Sequence, residues 1–390
     1  MADKVESYLK KNINAAKGQV AEDWNSLGDL YFKKLWHQLT GKVLVLLEKP
    51  SFTANLNLHE FFNNFVGEFQ SRLNALKLVE IAVPVSKYIF TKEKKDAAFD
   101  FLSQLEKNIS QNKLAVARLH TTVIELKLMN KNSNDQVTDL KNIRDLIDST
   151  QKEVDDLVGV TEVHAPFYKV SSIYLREVGD FAGYYREALR YLGVEDVNKL
   201  TKEEKNVHAV LISFAAILGD NVYNFGELLA HPILQVLQGS SEQWLAELLL
   251  AFNSGDIQKF YALEPKWSGW DDFKKKKNEL VGKIRLLAVM ELALARPCNS
   301  RSISFKEVAA KCQVGIGEVE VVVMRAMAKG LVHGAIDQVQ QTVNISWVQP
   351  RILDTKQILA LSERISVWRK DVSSMENIVA ANAKEILTQA

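Results

Sequence analysis

Only between residues 302 and 349 does the hydrophobic period of this chain change from 3.6 to 2, and that switch limits what can surround it. Ser302-Ile303-Ser304-Phe305 is a brief extended run, and Lys306 to Cys312 has a helical composition. Gln313-Val314-Gly315-Ile316-Gly317 predicts a turn, because two close glycines relieve the backbone where one helix stops and another starts. Glu318 to Lys329 predicts a second helix, with Gly330 as its left-handed stop. Val332 to Ile336 and Val343 to Trp347 alternate like two strands, joined by a polar tip from Asp337 to Thr342.

Strand, helix, turn, helix and hairpin is the order of a winged helix. That module is common in DNA binding, where the second helix leads with its N-terminal residues into the major groove. Here those residues include Gly317, Glu318 and Glu320, and the hairpin tip holds no Lys or Arg. Residues 300 to 349 hold five basic side chains (Arg301, Lys306, Lys311, Arg325, Lys329) against four acids (Glu307, Glu318, Glu320, Asp337). Phosphate binding needs a clustered basic face, and none is legible, so protein is the favoured partner over nucleic acid.

The rest of the chain reads as helical. Helical spacing runs from Trp24 to Leu47, Leu58 to Phe69, Leu73 to Ile89 (with Pro84 as a possible kink), Ala97 to Ile109, Leu114 to Met129 and Val137 to Val158. Residues 1 to 22 are polar and predict a loosely held start. Gly-Asp recurs at 179–180, 219–220 and 255–256. In each pair Gly would end one helix and Asp cap the next, so the steps predict stacked helical hairpins; chance recurrence is the alternative. Glu264 to Glu279 interrupts the pattern with Trp267-Ser268-Gly269-Trp270 and four consecutive lysines from Lys274. Packed indoles beside a solvated helix start are favoured there over a grip on single-stranded nucleic acid. Leu280 to Ala295 is an apolar helix leading into the winged segment.

After Pro350, Ile358, Leu361, Ile365, Trp368, Val372, Met375, Val379, Asn382 and Ile386 are spaced alternately by three and four residues. This is a heptad seam, and the helix carrying it would be roughly 50 Å long at 1.5 Å per residue. So long a helix at the end of the chain predicts partner helices along its stripe, the alternative being a fold back onto the repeats.

No local metal or catalytic pattern is legible. The seven histidines are dispersed, and no His-Glu-x-x-His, Cys-x-x-Cys, Gly-x-Ser-x-Gly, Gly-x-Gly-x-x-Gly or Walker-type loop exists. His37 beside Trp36 and His231 before Pro232 read as packing or capping residues. No catalytic, cofactor-binding or metal residue is therefore assigned. Cys298 and Cys312 are too few for a disulfide framework and suit a reducing compartment. The N-terminal residues lack an apolar leader core, and no apolar run approaches a membrane span. A formal net charge of +1 implies neither a basic nor an acidic tail, while 47% apolar residues can supply a real core.

Helical repeats running into a winged helix and a terminal helix resemble the PCI-domain family shared by the proteasome lid, the COP9 signalosome and translation initiation factor three. A narrower likeness, to a proteasome-lid member, rests on several segments. These are Lys33 to Thr40 (Lys-Lys-Leu-Trp-His-Gln-Leu-Thr), Phe225 to Leu229 with His231-Pro232, Ala251 to Gly255, and Trp347 to Arg351. The first twenty residues and 264 to 279 depart from it.

The resemblance implies a mainly α fold: a right-handed helical-repeat solenoid, then a winged-helix module, then a long C-terminal helix. It implies an N-terminal arm over 1–165 and a PCI domain over 166–349, with repeats to 300 and the winged helix from 301. A bundle helix over 350–390 completes the division. The implied role is a non-enzymatic lid scaffold in ubiquitin-dependent degradation, in cytoplasm and nucleus. It would have lid neighbours side by side and in a helix bundle, with no cofactor, nucleic acid or membrane. Another PCI assembly is the alternative. The expected contact residues are Val343, Ile345 and Trp347 on an open wing edge. On the terminal helix they are Ile358, Leu361, Ile365, Trp368, Val372, Met375, Val379 and Ile386.

Overall fold

A computed structural model describes residues 2–15, 19–53, 56–131, 137, 139–196, 198, 200–296, 301–352 and 355–387, side chains at 2–4, 14–15, 19, 355–357 and 382–387 excepted. The chain forms two compact units, Met1–Asp196 and Val197–Ala390.

The first unit is helical. It runs α1 (Ala2–Ala15), α2 (Gln19–Phe32), α3 (Trp36–Glu48), α4 (Pro50–Thr53), α5 (Leu58–Asn64), α6 (Ala75–Lys92), α7 (Lys95–Ile109), α8 (Lys113–Met129), α9 (Leu140–Asp155), α10 (His164–Val178) and α11 (Phe181–Val194). From α6 onward the helices stack as a repeat: α6 packs on α7 and α8, α8 on α9 and α10, and α10 on α11. Each pair therefore buries its inner face against the next, as a solenoid must. The polar start is no loose tail. Val5 and Leu9 of α1 are buried in the core with Trp24, Phe61 and Phe65, since even a polar helix keeps one apolar stripe. Pro84 sits inside α6 without ending it.

Gly179 adopts φ 83° at the end of α10, and Asp180 accepts from the Gly183 amide to start α11, the joint expected of a Gly-Asp pair. Because α10 packs on both α8 and α11, it stays with the first unit. The boundary expected at 165/166 thus falls inside a helix, and the compact units part at 196/197.

The second unit begins with α12 (Lys202–Leu218), opened by a Thr201/Glu204 capping box. Then come α13 (Gly226–Ala230), a 3₁₀ turn over Pro232–Leu237, α14 (Gln243–Ser254), α15 (Ile257–Ala262), α16 (Glu264–Trp267), α17 (Asp271–Lys275) and α18 (Lys277–Leu294). The Gly255-Asp256 joint repeats the first one, with Gly255 at φ 60° and Asp256 accepting from the Lys259 amide. Gly219 does not, for its backbone is extended and no helix starts at Asp220. The tryptophan turn is anchored by one indole rather than two. Trp267 is buried against Phe260 and Phe273, while Trp270 meets Phe214 edge-on and stays half-exposed.

Beyond α18 lie β1 (Ser302–Ser304), α19 (Phe305–Cys312), α20 (Ile316–Ala328), β2 (Val332–Asp337), β3 (Thr342–Val348) and α21 (Thr355–Leu387). The three strands form an antiparallel sheet in the order β1-β3-β2, and α18 backs α19, α20 and β3. Val308, Val319, Val323, Val343 and Ile345 fill the core of this winged helix. A Ser304/Glu307 capping box starts α19, and Arg296 pairs with the same Glu307. The helix-to-helix turn differs from expectation. Gln313, at φ 50°, takes the left-handed position, whereas Gly315 precedes α20 and Gly317 lies within it.

Candidate functional site

The expected wing edge is the middle of the sheet. β2 runs along one side of β3 and β1 along the other over Thr342–Asn344, extended by the Ile345 amide donating to the Arg301 carbonyl. Neither Val343 nor Ile345 therefore lies on a free edge, and both point into the core at 0% and 4% exposure. They shape the wing from beneath and offer no surface. Trp347 differs, and the register explains why. His333 pairs with Trp347 but Gly334 pairs with Ile345, so Ser346 has no opposite residue and the alternation of β3 slips by one. Val348 turns inward, and Trp347 turns out at 40% exposure, its ring stacked on His333 with centroids 4.6 Å apart. Gly334 permits the slip, since a Cβ there would lie 2.1 Å from the Asn344 carbonyl oxygen. The outer face of β2–β3 and the free side of β2 are therefore what this sheet presents.

Sequence reasoning missed the outer face of α20. Val319, Val322, Val323 and Ala326 form its buried stripe. Ile316, Val321 and Met324 are apolar yet exposed, beside Glu318. The legible signal was two apolar residues three apart, Val321 and Met324, lying off the buried stripe. A helix presenting apolar surface and an acid is suited to protein rather than to phosphate.

After the sheet the chain is pinned before it is released. The Gln349 amide donates to the Leu331 carbonyl at 2.8 Å. The Arg351 guanidinium donates to the Asn253 carbonyl at 3.1 Å and pairs with Glu291. Ile352 lies so close to Gly226 that a Cβ there would be 2.6 Å from its own. Three of the segments that carried the resemblance, around Gly226, Asn253 and Arg351, thus meet in space.

From Ile358 to Ala381 every side chain of α21 is exposed, the seam included, with Trp368 at 69%. The fold-back alternative is not what the structure shows for these residues. Leu359, Val367 and Ile378 are exposed away from the seam, so apolar surface lies on more than one side of the helix. The side chains of Asn382 and Ile386 lie outside the described residues.

Titratable groups are mostly occupied with structure. Lys283 is buried on α18 and donates to the carbonyls of Ala216, Ile217 and Gly219 at 2.8, 2.9 and 2.8 Å, closing the C-terminal end of α12. Burial pulls its ammonium down to about 7. Burial pushes the Cys312 thiol up to about 11, away from nucleophilic use; Cys298 lies outside the described residues. His231 caps the 3₁₀ turn by accepting from the Ile233 amide, and His37 is exposed. Among the described residues no group of three or more His, Cys, Asp or Glu could hold a metal ion, and no helix is long and apolar enough to cross a membrane.

Comparison with known proteins gives two family matches: PSD13 N-terminal repeats over residues 23–249, and a PCI domain over residues 258–347. The chain is 33% identical to 26S proteasome non-ATPase regulatory subunit 13 homolog B of Arabidopsis thaliana, covering 97% of this chain and 98% of that one. It is also 33% identical to a probable 26S proteasome regulatory subunit rpn9 of Schizosaccharomyces pombe, covering 99% and 98%. Likeness to eukaryotic translation initiation factor 3 subunit M of Chaetomium globosum is partial, at 28% identity over 51% of this chain and 47% of that one.

Proposed function

This chain belongs to the family of 26S proteasome non-ATPase regulatory subunit 13, and from that membership we propose that it is a scaffold subunit of the regulatory particle lid. In this reading it supports lid assembly, and through it ubiquitin-dependent degradation, without catalytic chemistry of its own. Its place is the cytoplasm and nucleus, and its partners are other lid subunits.

The single observation that carries the reading is α21. About 50 Å of helix exposes an apolar seam to solvent and finds no cover on its own chain from Ile358 to Ala381. Isolated helices gain most of their stability from packing, so this surface is suited to neighbouring helices. Apolar side chains off the seam favour a bundle, in which more than one neighbour covers the helix. A second contact is assigned to the outer face of the winged helix: Trp347 with His333, the free side of β2, and Ile316, Val321 and Met324. In this reading the first unit, to Asp196, is a helical arm, the second unit carries the remaining repeats and the winged helix to 349, and a bundle helix spans 350–390.

The test is reconstitution with the other lid subunits, read by native mass spectrometry, with and without residues 355–390. Full incorporation of the truncated chain would overturn the bundle role. Turnover of ubiquitin conjugates by the purified chain alone would overturn the scaffold reading.

A further inference from the structure

We propose that the cavity at the C-terminal end of α12 is a binding site for a phosphate-bearing ligand. The cavity has a volume of about 240 Å³ and is walled by the end of α12, the first half of α18 and the second half of α20. Five basic side chains line it (Lys276, Lys283, Arg285, Arg325, Lys329) against two acids, Asp220 and Glu279, so a surplus of two positive charges remains even with the buried Lys283 counted as neutral.

Capping of α12 accounts for only part of that surplus. Lys283 satisfies three of the last carbonyls, and Lys276 donates to a fourth, that of Leu218, at 3.4 Å. Arg325 and Lys329 reach none of them. They enter from α20, on the opposite wall. Lys329 meets only a neutral group, the Asn221 side-chain carbonyl at 2.9 Å, and the Tyr223 ring. The Arg325 guanidinium has no partner among the described residues. Arg285 donates from one end nitrogen to the Gln313 carbonyl at 3.4 Å, and its Nε is buried without an acceptor.

Gathering like charges around a concave surface costs free energy unless an anion joins them. One carboxylate would neutralise a single charge of the surplus. A phosphomonoester brings a charge near −2 and three acceptor oxygens, which match a guanidinium fork and two ammonium groups. Leu280, Leu286 and Val322 add apolar wall, so the phosphate fits best on an apolar or aromatic body.

The purified full chain suffices for the test, which is therefore separate from the assembly reading. Inorganic phosphate, phenyl phosphate and neutral benzyl alcohol are titrated by calorimetry and by ³¹P line broadening where phosphorus is present. Phenyl phosphate is expected to bind saturably below about 1 mM, more weakly at higher salt, while benzyl alcohol does not bind. Equal affinity for inorganic phosphate assigns the free ion as ligand; tighter phenyl phosphate assigns a phosphate carried on a larger body, and both outcomes support the site. The Arg325→Gln/Lys329→Gln double variant changes exposed side chains, keeps the melting temperature, and is expected to lose about tenfold or more in affinity. Arg325→Lys/Lys329→Arg keeps most of it. No saturable binding of either phosphate up to about 10 mM, or binding unchanged in the glutamine variant, overturns the proposal.

Discussion

Trp347 stacks on His333 across the β2–β3 ladder, ring centroids 4.6 Å apart and planes 25° from parallel, on the solvent side of the wing. Two residues earlier, Ile345 points the opposite way, into the core. The unpaired Ser346 between them makes the difference. The two positions should therefore respond differently to substitution. Trp347→Ala removes one exposed ring contact and should cost stability about 1 kcal/mol or less. Its effect should appear as weakened pairing with a lid neighbour. Ile345→Asp buries a carboxylate in an apolar core and should cost more than about 3 kcal/mol. Denaturant unfolding with co-purification separates them; equal losses of stability would falsify this assignment of faces.

Exposure along α21 makes its apolar residues dispensable to the isolated chain. Ile365→Asp/Trp368→Asp should leave the melting temperature of the free chain unchanged, because neither side chain is covered. The same change should prevent stable incorporation into the lid, where a buried charge has no partner. A large drop in melting temperature would mean that the helix lies against its own fold after all.

Two glycines predict opposite signs. Gly255 has φ 60°, and a Cβ there would lie 2.6 Å from the Ala288 Cα on α18. Gly255→Ala should cost about 3 kcal/mol or more, combining left-handed strain with overpacking against backbone. Gly41 lies inside α3, and a Cβ added to it would meet nothing within 4 Å. Gly41→Ala should stabilise by about 0.5–1 kcal/mol. Chemical denaturation of the two variants checks both signs.

Lys283 gives the second unit a pH dependence whose direction follows from burial. Its ammonium value falls from the ordinary 10.5 to about 7 through desolvation, which Lys276 and Lys329 reinforce and Asp220 opposes. Between those values the unfolded chain binds more protons than the folded one, so stability rises with pH across this window and is lost as pH falls toward 7. Relative to Lys283→Met, the wild type should gain up to about 1.4 kcal/mol per pH unit there. A difference in unfolding free energy that stays flat from pH 7 to about 10 would remove Lys283 as its source.

What the amino-acid sequence determined by itself was whatever depends on near neighbours. The period of 3.6 placed most helices, the change to 2 located the wing, and Gly179-Asp180 and Gly255-Asp256 marked two joints. The three-four spacing from Ile358 marked the seam, because a regular helix converts spacing directly into a face. What only the tertiary structure decided depends on groups brought together from far apart. Gly219-Asp220 looks the same in sequence as the other pairs but has a different backbone, where Lys283 of α18 serves the Gly219 carbonyl and Lys276 that of Leu218 before it. The central place of β3 was hidden because β1, some forty residues earlier, completes the sheet. A single unpaired residue then reversed Trp347, for strand alternation has a period of two and any one-residue slip exchanges its faces. Likewise, the meeting of Arg351 with Asn253, and of five basic side chains around one cavity, comes from helix packing, which no local pattern encodes.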